Sequence, residues 1–186
     1  MSKSNSVIFL IVGASGSGKT AICSWLEQNT SLTQIQSYTT RPPRSERENG
    51  HIFVSNKDFL SVDDRDMVAY TFYNNCHYWA TTQQLEDNDL YVIDPAGVEY
   101  LIHQYSGAKK IRIVYIDSPI HTRVQRMEDR GDSFPMIMER IVNDVVDFKD
   151  FAMHADYIVH NSDDRSLEDV SNELLQYIQK TGGEKV

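Results

Sequence analysis

Residues 13 to 20 read Gly13-Ala14-Ser15-Gly16-Ser17-Gly18-Lys19-Thr20. This fits the pattern G-x-x-x-x-G-K-[ST], whose chemistry is phosphate binding. Glycines let consecutive backbone N–H groups turn inward without a side-chain clash. Those donors sit where a helix begins, and the helix dipole favours an anion there. Lys19 would reach the β- and γ-phosphates of a nucleoside triphosphate, and the Thr20 hydroxyl would hold Mg²⁺. The rival reading is a chance glycine-rich turn. Against it stands the apolar run Val7 to Val12 immediately before the loop, which supplies the strand–loop–helix context the motif requires.

Other candidates are spread along the chain. In Thr39-Thr40-Arg41-Pro42-Pro43-Arg44 two prolines stiffen an extended loop. Arg41 and Arg44 flank them, and planar guanidinium forks held this way suit a phosphate monoester; a solvated charged loop is the plain alternative. Asp94 ends the apolar stretch Leu90 to Ile93. At the C-terminal end of a parallel strand it faces the ligand crevice of an open α/β sheet and would orient Mg²⁺. It equally suits a cap on the following helix. Arg126, Arg130 and Arg140 surround a break at Gly131-Asp132. A helical hairpin carrying them would close over transferring phosphates and exclude water, with surface ion pairing as the alternative.

Behind these residues lies a regular alternation of elements. Strands are expected at Val7–Val12, Gln34–Tyr38, Ile52–Val54, Met67–Tyr73, Cys76–Ala80, Leu90–Asp94, Ile111–Ile116 and Tyr157–Val159. Helices are expected at 20–28, 97–104, 119–130, 134–154 and 166–177, with shorter ones after Ser55 and at 82–87. The Asn74-Asn75 pair reads as a hairpin turn. The alternation implies an α/β fold in three layers, a parallel sheet with helices on both faces. The expected division of the 186 residues is a core at 1–38 and 82–186, a small β-rich lobe at about 39–81, and a helical lid at about 122–145.

The formal charge of −9 disfavours polynucleotide binding, which needs clustered Lys and Arg. The two cysteines, Cys23 and Cys76, have no metal-ligand spacing, and the six histidines are scattered. Reduced thiols, no secretory signal and no apolar run of membrane-spanning length point to the cytoplasm and to no membrane partner. Cys23 reads as a packing residue on the first helix.

These residues together resemble the guanylate kinase family. The specific match is Thr39-Thr40-Arg41-Pro42-Pro43-Arg44 followed by Glu48-Asn49-Gly50 and Phe53-Val54-Ser55. Weaker matches are Asp94 with Gly97, Arg126, Arg130-Gly131, Arg140 and Asn161. The resemblance implies a P-loop kinase that moves the γ-phosphoryl group of ATP, with Mg²⁺, to GMP or dGMP, as a monomer or homodimer. It implies that Arg41, Arg44 and Tyr78 grip the acceptor phosphate and that Ser37 lies near the acceptor base. Arg126, Arg130 and Arg140 would act on phosphates, and Asn161 would lie at the adenine of ATP.

The departures concentrate on the acceptor base. The alignment puts Ala69 at the family's guanine-binding glutamate, and Trp79 and Ala80 where glycine and a hydroxyl residue usually follow the tyrosine. His51 stands for a second phosphate-binding tyrosine, and Val92 for an acidic residue before Asp94. Thr81 is the neighbouring hydroxyl that a register shift would bring into Ala80's place. The alternatives are a kinase of another nucleotide or of a ribose phosphate, and a non-catalytic module that binds phosphopeptides.

Overall fold

The computed structural model describes residues 6–43 and 50–182. Strand β1 (Val7–Val12) is buried along its whole length, and the two faces of its pleat make two cores. Phe9 and Ile11 pack with Ile22 and Leu26 of helix α1 (Lys19–Asn29) and with Leu174 and Ile178 of α7 (Leu167–Gly182). Ile8, Leu10 and Val12 pack on the opposite face with Leu85 of α3 (Thr82–Asp87) and with Val98 and Leu101 of α4 (Pro95–Gln104). A strand covered on both faces must read as a continuous apolar run, which is why this segment is conspicuous in the sequence.

β1 pairs in parallel with β6 (Leu90–Val92) and β7 (Lys110–Asp117), and β7 pairs with β8 (Tyr157–His160), giving the order β6-β1-β7-β8. A second sheet has the order β3-β2-β5-β4, from β2 (Ser37–Thr39), β3 (His51–Phe53), β4 (Met67–Tyr73) and β5 (Cys76–Thr81). The β4–β5 hairpin turns at Asn74 and Asn75, with φ of 47° and 57°. Two residues at positive φ match the right-handed twist of a tight hairpin, and asparagine tolerates that conformation. A short helix α2 (Asn56–Phe59) follows a reciprocal cap between Ser55 and Asp58.

Apart from shifts of element ends, among them β6 stopping at Val92 and α7 running on to Gly182, the structure differs from expectation at two places. The strand expected second in the main sheet pairs instead in the second sheet, at Ser37–Thr39; Gln34 keeps only an isolated bridge to Leu90. The helix expected over 134–154 ends early, as α6 (Phe134–Asp147). Asp150 takes a left-handed φ of 60°, and a 3-10 turn at Phe151–His154 follows. That kink inserts Phe151 into the core beside β1 and α4. α6 pairs with α5 (Ile120–Asp129) around Met127, Ile137 and Ile141. Among the described residues no helix is long and apolar enough to cross a membrane.

Candidate active site

The C-terminal ends of β1 and β6 open into one cleft of about 920 Å³, roofed by β4 and β5 on one side and by α6 on another. Its lining includes Gly13, Ser15 and Lys19 from the loop after β1, and Asp94 after β6. Ser37, His51 and Tyr78 enter from the second sheet, and Arg140 from α6. Residues separated by more than a hundred positions thus face one space.

The Gly13–Thr20 loop turns on two glycines with positive φ, Gly16 at 76° and Gly18 at 96°. A side chain at either would be strained. Lys19 folds over the loop, its Nζ donating to the Gly13 carbonyl at 2.5 Å and to the Ala14 carbonyl at 3.1 Å. Burial lowers its pKa to about 8, partly offset by the Asp144 carboxylate. Thr20 is exposed at the first turn of α1. Two residues brace the loop from outside. Asn161 Nδ2 donates to the Ser17 carbonyl at 2.8 Å, and Arg126 donates to Asn161 Oδ1 at 3.2 Å and to the Ser17 carbonyl at 3.4 Å. Asn161 is 5% exposed, so its amide holds the loop's backbone. Cys23, beneath the loop on α1, has its thiol pushed up to about 12 by burial, which fits a packing role.

Asp94 is the N-cap of α4. Its Oδ1 accepts from the Gly97 N–H at 2.7 Å and from the Thr71 hydroxyl at 2.9 Å. Burial raises its pKa, against these hydrogen bonds. The capping role read from the sequence is therefore present, and the same carboxylate borders the cleft.

On the acceptor side the Ser37 hydroxyl and His51 Nδ1 lie 2.9 Å apart, and the His51 ring meets Tyr78 edge to face at 5.8 Å. Trp79 turns into the lobe, stacked on Tyr38 at 5.3 Å. Ala69 lines the cleft and pairs in register with the fully buried Ala80. The Thr81 side chain is engaged in a cap on α3, reciprocally with Gln84. Sequence reasoning missed Tyr91, a buried phenol in the cleft whose pKa burial raises and whose side chain bonds Ser37. Nothing in an apolar strand pattern marks it.

The arginines divide. Arg140 lines the cleft. Arg130 forks onto Asp132 beside the hairpin bend, and Arg140 Nε lies 3.7 Å from the same carboxylate. Arg41 is not among the cleft-lining residues; its guanidinium lies 5.4 Å from the Phe53 ring centre and donates to the Pro42 carbonyl. Arg44, with Glu48 and Asn49, lies outside the described residues. A further pair that the sequence did not signal is Arg123 with Asp144, 2.9 Å apart across the α5–α6 hairpin.

Backbone donors at a helix N-terminus, a lysine above them and a polar wall facing them can hold two phosphorylated groups end to end. The family model described as guanylate kinase matches residues 5–181. A guanylate kinase of Nitrosomonas europaea is 29% identical over 184 residues, covering 94% of this chain and 89% of that protein. One from Psychrobacter arcticus is 30% identical over 173 residues, covering 83% and 78%. The crystal structure of guanylate kinase from Anaplasma phagocytophilum superposes with a TM-score of 0.66 at 18% identity, over 100% of this chain and 90% of that one, which speaks for the fold. With a family match over nearly the whole chain, this chain belongs to the guanylate kinase family.

Proposed function

We propose that this protein transfers the γ-phosphoryl group of ATP to the phosphate of a nucleoside monophosphate, GMP or dGMP being the acceptors that family membership points to. The observation that carries the reading is the single cleft in which Lys19 and the loop after β1 face Ser37, His51 and Tyr78. An acceptor phosphate oxygen attacks the γ-phosphorus, the bond from that phosphorus to the β–γ bridging oxygen breaks, and ADP leaves. The acceptor is already anionic, so no general base is needed. The protein's work is positioning and charge neutralisation. Lys19 and Arg140 supply positive charge along the line of transfer, while the second sheet and α6 keep water from intercepting the phosphoryl group.

The residues fit Mg²⁺. Thr20 offers an exposed hydroxyl at the start of α1, and Asp94 borders the cleft with a carboxylate held by Thr71 and Gly97. Both are hard oxygen donors of the kind Mg²⁺ takes beside nucleotide phosphates. Bound there, the ion would withdraw charge from the phosphate oxygens. The two free thiols suit a reducing, cytoplasmic compartment.

The acceptor base meets a modified wall. Ala69 stands at the cleft with Ala80 paired to it, and the polar lining of the cleft includes Ser37, Thr71, Tyr91 and Asp94. A site with fewer hydrogen-bond partners rejects competing bases less strongly. A nucleoside monophosphate remains a better fit than a ribose phosphate, because the cleft lining extends from the phosphate loop to Ser37, His51 and Tyr78 on the second sheet. The retained loop with Lys19 speaks against a phosphopeptide-binding module.

The test is ADP release from Mg·ATP with GMP, dGMP, AMP, CMP, UMP and a ribose phosphate, with Lys19→Ala as control. Lys19-dependent turnover on GMP or dGMP supports the reading. Lys19-dependent turnover confined to another monophosphate moves the acceptor and keeps the reaction. Absence of turnover on every acceptor, with ATP still bound, refutes it.

A further inference from the structure

Asp144 comes from α6, yet it is bound to the loop after β1. Its Oδ2 accepts from the Ser15 backbone N–H at 3.0 Å, and its Oδ1 accepts from the Ser15 hydroxyl at 3.2 Å. Arg123 Nη1 donates to Oδ2 at 2.9 Å. The carboxylate is buried, 8% exposed by residue, and close enough to Lys19 to act on its titration. A loop N–H, a hydroxyl and a guanidinium converging on two oxygens of one anion, with the Lys19 ammonium nearby, is the environment a phosphate group requires.

Two further observations bear on what this contact does. Arg123 Nε is buried and has no hydrogen-bond partner, so its guanidinium keeps a donor that the two oxygens of Asp144 do not satisfy and that a third anionic oxygen would. Asn143, the preceding residue, donates to the Tyr73 hydroxyl on β4 at 3.2 Å. Adjacent residues of α6 therefore hold the loop on the donor side and the second sheet on the acceptor side.

We propose that Asp144 is a built-in occupant of the donor phosphate site: in the ligand-free protein its carboxylate holds a phosphate's place, and ATP binds by displacing it and taking over Ser15 and Arg123. The proposal rests on the reading above that this loop binds ATP. A carboxylate and a polyphosphate repel each other at this range, so donor entry forces Asp144, and with it α6, out of its ligand-free position. Donor binding is thereby coupled to movement of the hairpin and to loss of the Asn143–Tyr73 contact. The apparent donor affinity is the intrinsic affinity reduced by the fraction of molecules with the loop vacant. If Asp144 occupies the loop in about nine molecules of ten, that reduction is about tenfold.

The experiment is titration of Mg·ATP, without acceptor, into the full-length protein and its Asp144→Asn, Asp147→Asn and Lys19→Ala variants. Asp147 lies one turn further along α6 and also lines the cleft, so Asp147→Asn removes a nearby charge without touching the loop contact. The expected result is about tenfold tighter binding by Asp144→Asn and a change within about twofold for Asp147→Asn. Hydrogen exchange in the ligand-free state gives a second readout: Asp144→Ala should speed exchange of the peptide containing Ser15, with the rest of β1 and α1 unchanged. Equal or weaker ATP binding by Asp144→Asn overturns the proposal, as does equal tightening by both Asn variants. Unaltered exchange at Ser15 overturns it too. If Lys19→Ala binds ATP as well as the wild type, the ATP-site reading itself fails and the proposal falls with it.

Discussion

Lys19 gives the reading a quantitative handle through its titration. Its pKa is lowered from 10.5 to about 8, with burial the largest cause. In the empty protein at pH 9, roughly nine molecules in ten then carry a neutral lysine. ATP favours the ammonium form, because its phosphates add negative charge where Asp144 offsets the burial cost only in part. If nucleotide restores the pKa to the ordinary 10.5, binding at pH 9 takes up about 0.9 of a proton, and at pH 8 about half a proton. The affinity for Mg·ATP is then flat below pH 7 and falls about tenfold from pH 7 to pH 9, about 1.4 kcal/mol. Stability responds with the opposite sign. Between about 8 and 10.5 the unfolded chain binds a proton at this lysine that the native chain does not, so this residue's contribution to stability rises with pH across that window. Calorimetric titration at pH 7, 8 and 9, in buffers of different ionisation enthalpy, measures affinity and proton uptake together. Lys19→Met should abolish the uptake. Affinity independent of pH from 7 to 9, with no proton uptake, would refute the argument that this buried lysine is charged by the nucleotide.

Three further outcomes separate structural from chemical roles. Asp94→Asn should keep the α4 cap, since asparagine caps nearly as well as aspartate, and so leave the melting temperature within about 2 °C while turnover falls by about a hundredfold; Asp94→Ala should in addition lose about 1 kcal/mol of stability. Equal activity of Asp94→Asn and wild type would confine this residue to capping. Thr81→Ala should lower stability by about 1 kcal/mol through its cap on α3 and leave the ratio of kcat/KM values among acceptors unchanged; a shift in that ratio would put the hydroxyl in the base site after all. Ala69→Glu, which restores a carboxylate at the cleft wall, should raise the preference for GMP over AMP by about tenfold, the lower end for a charged hydrogen bond, and an unchanged preference would show that the base lies elsewhere.

The parts legible in the sequence were those that local chemistry dictates. The buried run of β1, the glycines at positive φ, the Asn74-Asn75 turn and the Ser55 cap each follow from a few neighbouring residues. The cap at Asp94 was readable from its place before Pro95 and Gly97, although β6 itself ends at Val92. Sheet membership was not readable: the apolar and polar pattern around Ser37–Thr39 suits either sheet, and only pairing with β3 and β5 decides it. Nor was the early end of α6, since apolar residues continue past Asp147 and the kink depends on Phe151 reaching the core. Tyr91, Arg123 and Asp144 stayed hidden because their meaning comes from partners far away in the chain: Ser37 for the first, and each other with Ser15 for the other two. Asn161 was marked only through the family resemblance, at the adenine of ATP; the structure shows its amide supporting the Ser17 carbonyl.

The most direct test follows the label from γ-phosphate-labelled ATP, incubated with Mg²⁺ and GMP, in wild type and Lys19→Ala. The expected result is label in the terminal phosphate of GDP, formed one for one with unlabelled ADP and lost in the Lys19 variant. Label appearing only as inorganic phosphate, or GDP formed equally well without Lys19, would contradict it.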